Sequence, residues 1–460
     1  MSWTNSKQQE GKTIYQFTRW ASWFFLVASI LLFIYAYYRA QVTEMDFRYF
    51  KYYLIALTGI LFWAIVLRLQ EDIRANIVTL VITLILGLYL VEVGLTLLGL
   101  EQRQPSDRVD VIKRAAELGV KYDERTKIQV IEELIADGID AVPANRISDG
   151  MWPDFLPLGG ISNKTTVDEN ESGRRMIYLS DRYGFNNPDS EWNSNKTEWL
   201  LLGDSFTEGV AVQLGEDIAG QIRVITEESS INLGRSGNGP LMNLAGLKEY
   251  AEVIKPKKVL WFYFDANDME DLQNRKNNPI LMKYLEDEFS QNLINRQKEI
   301  DERLKKYLAA EYVNKEKVQT QSKTLLTKTS WIRLGAIRNV LVFDSEVDID
   351  YVLFTKILNE AKARIRSWGG EIYFVYLPGY GRYTEEVISH DKYQKKSEVI
   401  DLIKELNIPV IDIHEEVFAD HPDPLELFPL RLSGHYNADG YSEVAKAIVI
   451  SVNKYEKNNK

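Results

Sequence analysis

Trp199-Leu200-Leu201-Leu202-Gly203-Asp204-Ser205-Phe206-Thr207-Glu208-Gly209 is a short apolar run that closes in a Gly-Asp-Ser turn. Four apolar residues ended by glycine read as a buried strand, and a serine directly after it has its hydroxyl held at the start of the next helix. Four further runs repeat the pattern. Residues 231–233 end at Gly234-Arg235-Ser236-Gly237-Asn238-Gly239, 258–264 (KVLWFYF) at Asp265-Ala266-Asn267-Asp268, 372–377 (IYFVYL) at Pro378-Gly379, and 408–413 (IPVIDI) at His414. Runs rich in β-formers, alternating with helical stretches and each ending in polar or glycine-rich residues, predict an α/β fold. Its sheet is parallel, and its chemistry lies beyond the carboxyl ends of the strands.

Gly-Asp-Ser alone says little, because Ser or Asp at a strand-to-helix turn is commonly just a helix cap, and Gly209 stands too late for a G-x-S-x-G elbow. The other strand ends add to it. Ser236-Gly237-Asn238-Gly239 can bring backbone N–H groups close to a developing negative charge, and Asn267 can add a side-chain amide donor. The chain has four histidines, and His390, His414 and His421 lie in charged or turn-like surroundings. His435, in Ser433-Gly434-His435-Tyr436-Asn437-Ala438-Asp439-Gly440-Tyr441, precedes a C-terminal helix and can take the Ser205 proton.

These blocks, in this order, resemble the SGNH (GDSL-type) hydrolase superfamily over about residues 199–455. The resemblance implies a three-layer α/β/α fold, Ser205 as nucleophile and His435 as general base. It implies an oxyanion hole made by the backbone N–H groups of Ser205 and Gly237 and the amide of Asn267. Many such proteins act as esterases, lipases, or O-acetyl esterases and transferases on polysaccharides. Two positions depart from the pattern: Asp265 replaces the Gly of G-x-N-D, and Leu432 stands where D-x-x-H has its acid. Orientation of His435 then falls to a backbone carbonyl, or to Asp412 or Asp423 reaching from another loop. Loss of the orienting acid in a comparable triad costs roughly 10⁴ in rate.

Outward from this block the composition changes sharply. Residues 20–38 (WASWFFLVASILLFIYAYY) carry no charge and match the about 20 residues that a spanning helix needs. Residues 52–68, flanked by Lys51 and Arg68, and 75–98, apolar apart from Glu92 near the headgroups, give two more spans, so residues 1–100 read as a three-helix membrane anchor. Lys7, Lys12, Arg19, Arg68 and Arg74 against Arg39, Arg48 and Lys51 favour a cytoplasmic N-terminus and an extracytoplasmic C-terminal domain, although Arg103, Arg108, Lys113 and Arg114 pull the other way. Residues 101–145 read as a helical neck. Residues 146–460 read as the SGNH-like domain, with an irregular lead-in near 147–187 and a solvated helical insertion at about 269–345.

A chain of 460 residues, 45% hydrophobic, holds two or three folded units. A net charge of −11 argues against gripping nucleic acid through its phosphates. Zero Cys removes disulfides, zinc ribbons and thiol nucleophiles, and no cofactor or metal is expected. DANDMED (265–271) lacks the Gly of a calcium loop. Asn163, Asn170 and Asn195 begin N-x-S/T triplets, and Tyr380 and Tyr383 read equally as a sugar-stacking wall or as packing. The expectation is a membrane-anchored serine esterase or O-acyltransferase working through a Ser205 acyl-enzyme on acyl, foremost acetyl, esters of a cell-surface or exported polysaccharide. A membrane acyl-donor partner would suit the transferase. The alternatives are a catalytically degenerate domain serving as a glycan-binding or scaffold subunit, and a lipid-directed esterase.

Overall fold

The computed structural model describes residues 2–43, 46–97, 108–144, 152, 154–319, 350–384 and 395–458. They form two units, one up to Leu97 and one of the described residues from Arg108 onward. The first holds the helices Ser2–Thr43, Asp46–Val66 and Glu71–Leu97. Two segments in them, Thr13–Tyr38 and Glu71–Leu95, are long and apolar enough to cross a membrane. The middle one, Tyr52–Val66, is shorter, so two of the three expected spans reach that length. Phe25 stacks on Trp63 at 4.7 Å, tying the first helix to the second. Glu92 is buried rather than turned outward.

The second unit starts differently from the expected neck. Residues 108–144 make two ten-residue helices, Arg108–Glu117 and Lys127–Ala136, followed by a strand, β1 (Ala141–Pro143). Gly119 and Gly138, at φ +69° and +81°, follow and end each helix, and a Thr126–Gln129 capping box starts the second. β1 pairs in parallel with β2 (Thr165–Val167), which pairs antiparallel with β3 (Ile177–Leu179).

The main sheet is β4 (Trp199–Leu202), β5 (Ser230–Asn232), β6 (Lys258–Phe264), β7 (Glu371–Leu377) and β8 (Val410–Asp412), all parallel, in the order β5-β4-β6-β7-β8. Strand side chains alternate between faces, and both faces are covered. Val259, Trp261, Ile372 and Phe374 pack with Leu241 and Leu244 of the helix Pro240–Gly246 and with Phe354 and Ile357 of Tyr351–Ser367. Leu260, Phe262, Tyr373 and Val375 pack with Ile218 and Ile222 of Ile218–Thr226 and with Val444 and Ile448 of Ala438–Asn458. This is the three-layer α/β/α arrangement. From β4 the chain turns one way to β5, then crosses back to β6 and onward. The carboxyl ends of β4 and β6 therefore flank the point where strand order reverses, the place where such sheets hold their chemistry.

The insertion after β6 is less solvated than its Lys/Glu-rich sequence implies. Leu281, Leu293, Ile300 and Leu304 are buried in the core, and the buried Glu249 carboxylate accepts from Tyr284 Oη at 2.7 Å and the Leu293 amide at 2.7 Å. Its residues 320–345, and His390, lie outside the described residues.

Candidate active site

Ser205 opens the four-residue helix Ser205–Glu208 directly after β4. Asp204 caps it, its carboxylate accepting from the Phe206 amide at 3.0 Å. The Ser205 amide falls in the first turn, where helix N–H groups have no acceptor within the helix. Ser205 and His435 are half-buried among buried neighbours, so the hydroxyl is both fixed and reachable.

Ser205 Oγ lies 2.7 Å from His435 Nε2. On the other side of the ring, His435 Nδ1 is 2.8 Å from Glu171 Oε1, and Glu171 Oε2 accepts from the His435 amide at 2.9 Å. The carboxylate at the imidazole is therefore Glu171, and neither expected acid serves there. Asp412 pairs with Lys396 at 2.9 Å and caps the His414 amide, while Asp423 pairs with Arg431. Burial alone would lower the imidazole pKa, but Glu171, followed by Asp204 and Asp168, outweighs it, and the His435 pKa is raised above its ordinary 6.5.

Gly434 makes this contact possible, since a Cβ there would stand 2.5 Å from Glu171 Oε2. Gly434→Ala is expected to push the Glu171 carboxylate off the ring and lower kcat about 10- to 100-fold with KM little changed, a split read directly from ester kinetics.

The expected oxyanion donors fall on the ends of three neighbouring strands: Ser205 after β4, Gly237 after β5 and Asn267 after β6. Gly237 has φ +82°, a conformation that glycine adopts without penalty. The loop carrying it is fixed by a residue that sequence reading passed over. Buried Glu208 accepts from Ser236 N and Ser236 Oγ, both at 2.7 Å. Asn267 stands at the N-cap position of the helix Asp268–Arg275 without a side-chain bond to its amides; its carboxamide N–H instead donates to the buried Asp204 carboxyl, which burial raises to about 6. Asp268, buried and repelled by Asp204, is raised further.

The fold is SGNH-like. Solved structures that the chain resembles include the lipase/acylhydrolase from Enterococcus faecalis, at 17% identity over 56% of this chain and 95% of that one with a TM-score of 0.33. An acetylxylan esterase from Geobacillus stearothermophilus is 16% identical over 56% and 94% with a TM-score of 0.32. A GDSL-like lipase from Bacteroides thetaiotaomicron is 9% identical over 59% and 92% with a TM-score of 0.30. No protein-family model and no curated protein matches the sequence.

The remaining sequence candidates have structural roles. Asp265 is buried and accepts from the Gly379 amide, Tyr376 Oη and Arg382 Nη2, each at 2.9 Å, so the departure from Gly ties the loop after β7 to the end of β6. Tyr383 stacks on Phe418 at 5.0 Å and meets His414 Nδ1 at 2.9 Å, and Tyr380 packs edge-on to Phe428, so both rings serve packing. His421 Nδ1 accepts from the Asp423 amide. Among the described residues no group of three or more His, Cys, Asp or Glu is set to hold a metal ion. Glu171 gave no motif signal. Its one legible sign is local, Asn170 followed by Gly173, a polar turn signature.

Proposed function

We propose that the chain is a serine ester hydrolase or O-acyltransferase of the SGNH kind, acting on acyl esters, foremost acetyl, of a cell-surface or exported polysaccharide. The observation that carries this reading is the unbroken row Ser205 Oγ, His435, Glu171, at 2.7 and 2.8 Å. It supplies the acid that Leu432 left in question and so favours a catalyst over a degenerate binding subunit. The two long apolar helices support a substrate met at a membrane.

In this reading His435 Nε2 takes the Ser205 proton as Oγ attacks the acyl carbonyl, and Glu171 holds Nδ1–H and balances the imidazolium. The amides of Ser205 and Gly237, with Asn267, face the oxyanion; one such donor is worth about 10²–10³ in rate. His435 returns the proton to the leaving alcohol oxygen, which departs and leaves the acyl group on Ser205. Water or a sugar hydroxyl then attacks, His435 again acting as base.

The test uses the full chain in detergent with p-nitrophenyl acetate, quenched in acid and digested. An acetyl group on the Ser205 peptide is expected, absent from His435→Ala, with release accelerated by an added sugar acceptor if the chain is a transferase. Consumption of ester with no acetyl on Ser205 overturns the acyl-enzyme. Turnover confined to long-chain esters in micelles moves the substrate to lipid.

A further inference from the structure

The loop that brings Glu171 to His435 is held mainly by the connector between the helices Arg108–Glu117 and Lys127–Ala136 and by the first residue of the second. Asn170 Nδ2 donates to the Asp123 carbonyl at 2.9 Å, while its Oδ1 accepts from the Gly173 amide at 2.9 Å, closing a tight turn with Glu171 and Ser172 at the tip. Tyr122 Oη donates to the Asn170 carbonyl at 2.8 Å, and the Asp123 amide donates to the Gly173 carbonyl at 2.9 Å. Lys127 Nζ meets Asp168 Oδ1 at 3.0 Å and Glu169 Oε1 at 2.8 Å. Gly173, at φ +93°, sits so close that a Cβ would stand 2.9 Å from the Lys121 carbonyl oxygen. From the catalytic side the turn is met by Ala211, whose carbonyl accepts from Ser172 Oγ at 2.9 Å.

The same segment reaches the other partner. Arg114 Nε donates to the Leu430 carbonyl at 3.3 Å, five residues before His435, where Leu430 and Arg431 are held at φ +54° and +58°. One stretch of chain thus touches both the loop of the acid and the loop of the base.

We propose that residues 108–136 are a clamp that sets the Glu171–His435 contact, with Asn170, Tyr122 and Lys127 as positioning residues. The proposal rests on the acyl-transfer reading for its catalytic consequence; its effect on the imidazole rests on the Glu171–His435 contact and holds whether or not the chain is an enzyme. Glu171 and Asp168 from the clamped segment and Asp204 from the end of β4 are the charged groups that act on His435, and Lys127 pairs with Asp168. Releasing the clamp removes the largest of the influences that raise the imidazole pKa.

The test uses the full chain in detergent, labelled with ¹⁵N-histidine, comparing wild type with Asn170→Ala and with Tyr122→Phe, which keeps the ring. The His435 resonance, assigned by its loss in His435→Gln, is titrated by NMR. The same proteins are assayed with p-nitrophenyl acetate. In Asn170→Ala the titration moves to lower pH and kcat falls about 10- to 100-fold with KM within about twofold; Tyr122→Phe moves both in the same direction by less. Wild-type titrations in both variants, whatever their melting temperatures or rates, overturn the clamp. A wild type that turns over no ester defeats the enzymatic reading, and the imidazole titration still decides the clamp.

Discussion

Ser205→Ala and His435→Ala each lower kcat for p-nitrophenyl acetate by about 10⁴-fold or more, and the double variant is scarcely worse than either single one. In a comparable triad either knock-out alone costs about as much as removing the whole set, because the groups act as one unit. The cradle of N–H groups and substrate binding retain a residual acceleration of about 10³ over water, which sets the floor of the measurement. Neither loss should come from unfolding. Ser205 and His435 are only partly buried, and the groups that lose a hydrogen bond, His435 Nε2 in one variant and Glu171 Oε1 in the other, are themselves partly open to water. Circular dichroism of each variant against wild type separates the two causes. A Ser205→Ala chain that keeps wild-type turnover removes Ser205 as nucleophile.

What the sequence made legible is what is local in the chain. Ser205, Gly237, Asn267 and His435 each follow a short apolar run or precede a long helix, so their placement at one sheet edge follows from strand periodicity and the logic of parallel crossovers. Glu171 was not legible because it lies 264 positions from His435, outside the parallel sheet, in an irregular polar stretch with no periodicity to place it. Asp412 and Asp423 were reasonable on proximity alone, and each is instead occupied by a nearby cation, Lys396 or Arg431. The neck divides for a different reason. Its apolar spacing is helical, but the stop signals at Gly119 and Gly138 and the start signal of Thr126 and Gln129 divide one expected stalk into two short helices and a strand. In the insertion, Ile300 and Leu304 already stood four apart, and the density of Lys and Glu around them hid a buried face.

Glu171→Gln is expected to lower kcat by about 10³–10⁴-fold with KM little changed, the magnitude seen when the acid of a comparable triad is replaced by its amide. Gln keeps the length of the side chain, and its one carbonyl oxygen can still accept from the His435 amide. The group facing Nδ1 is then an NH₂, which donates, selects the wrong tautomer and supplies no charge against the imidazolium. The pH profile separates this from a packing defect. In wild type, burial lowers the His435 pKa and Glu171 reverses it, so the base is half-protonated above pH 6.5 and kcat/KM rises with pH through a limb lying above that value. Without the Glu171 charge only Asp204 and Asp168 oppose burial, and the limb moves to lower pH even as the plateau falls. The two effects have opposite signs at acid pH, which a structural lesion would not produce. Measuring kcat/KM from about pH 5 to pH 9 for both proteins reads them together, with the ordinary imidazole value of about 6.5 as the reference. A limb that stays where it was, with a loss under about 10-fold, would leave Glu171 as a bystander and return the orientation of His435 to its backbone neighbours.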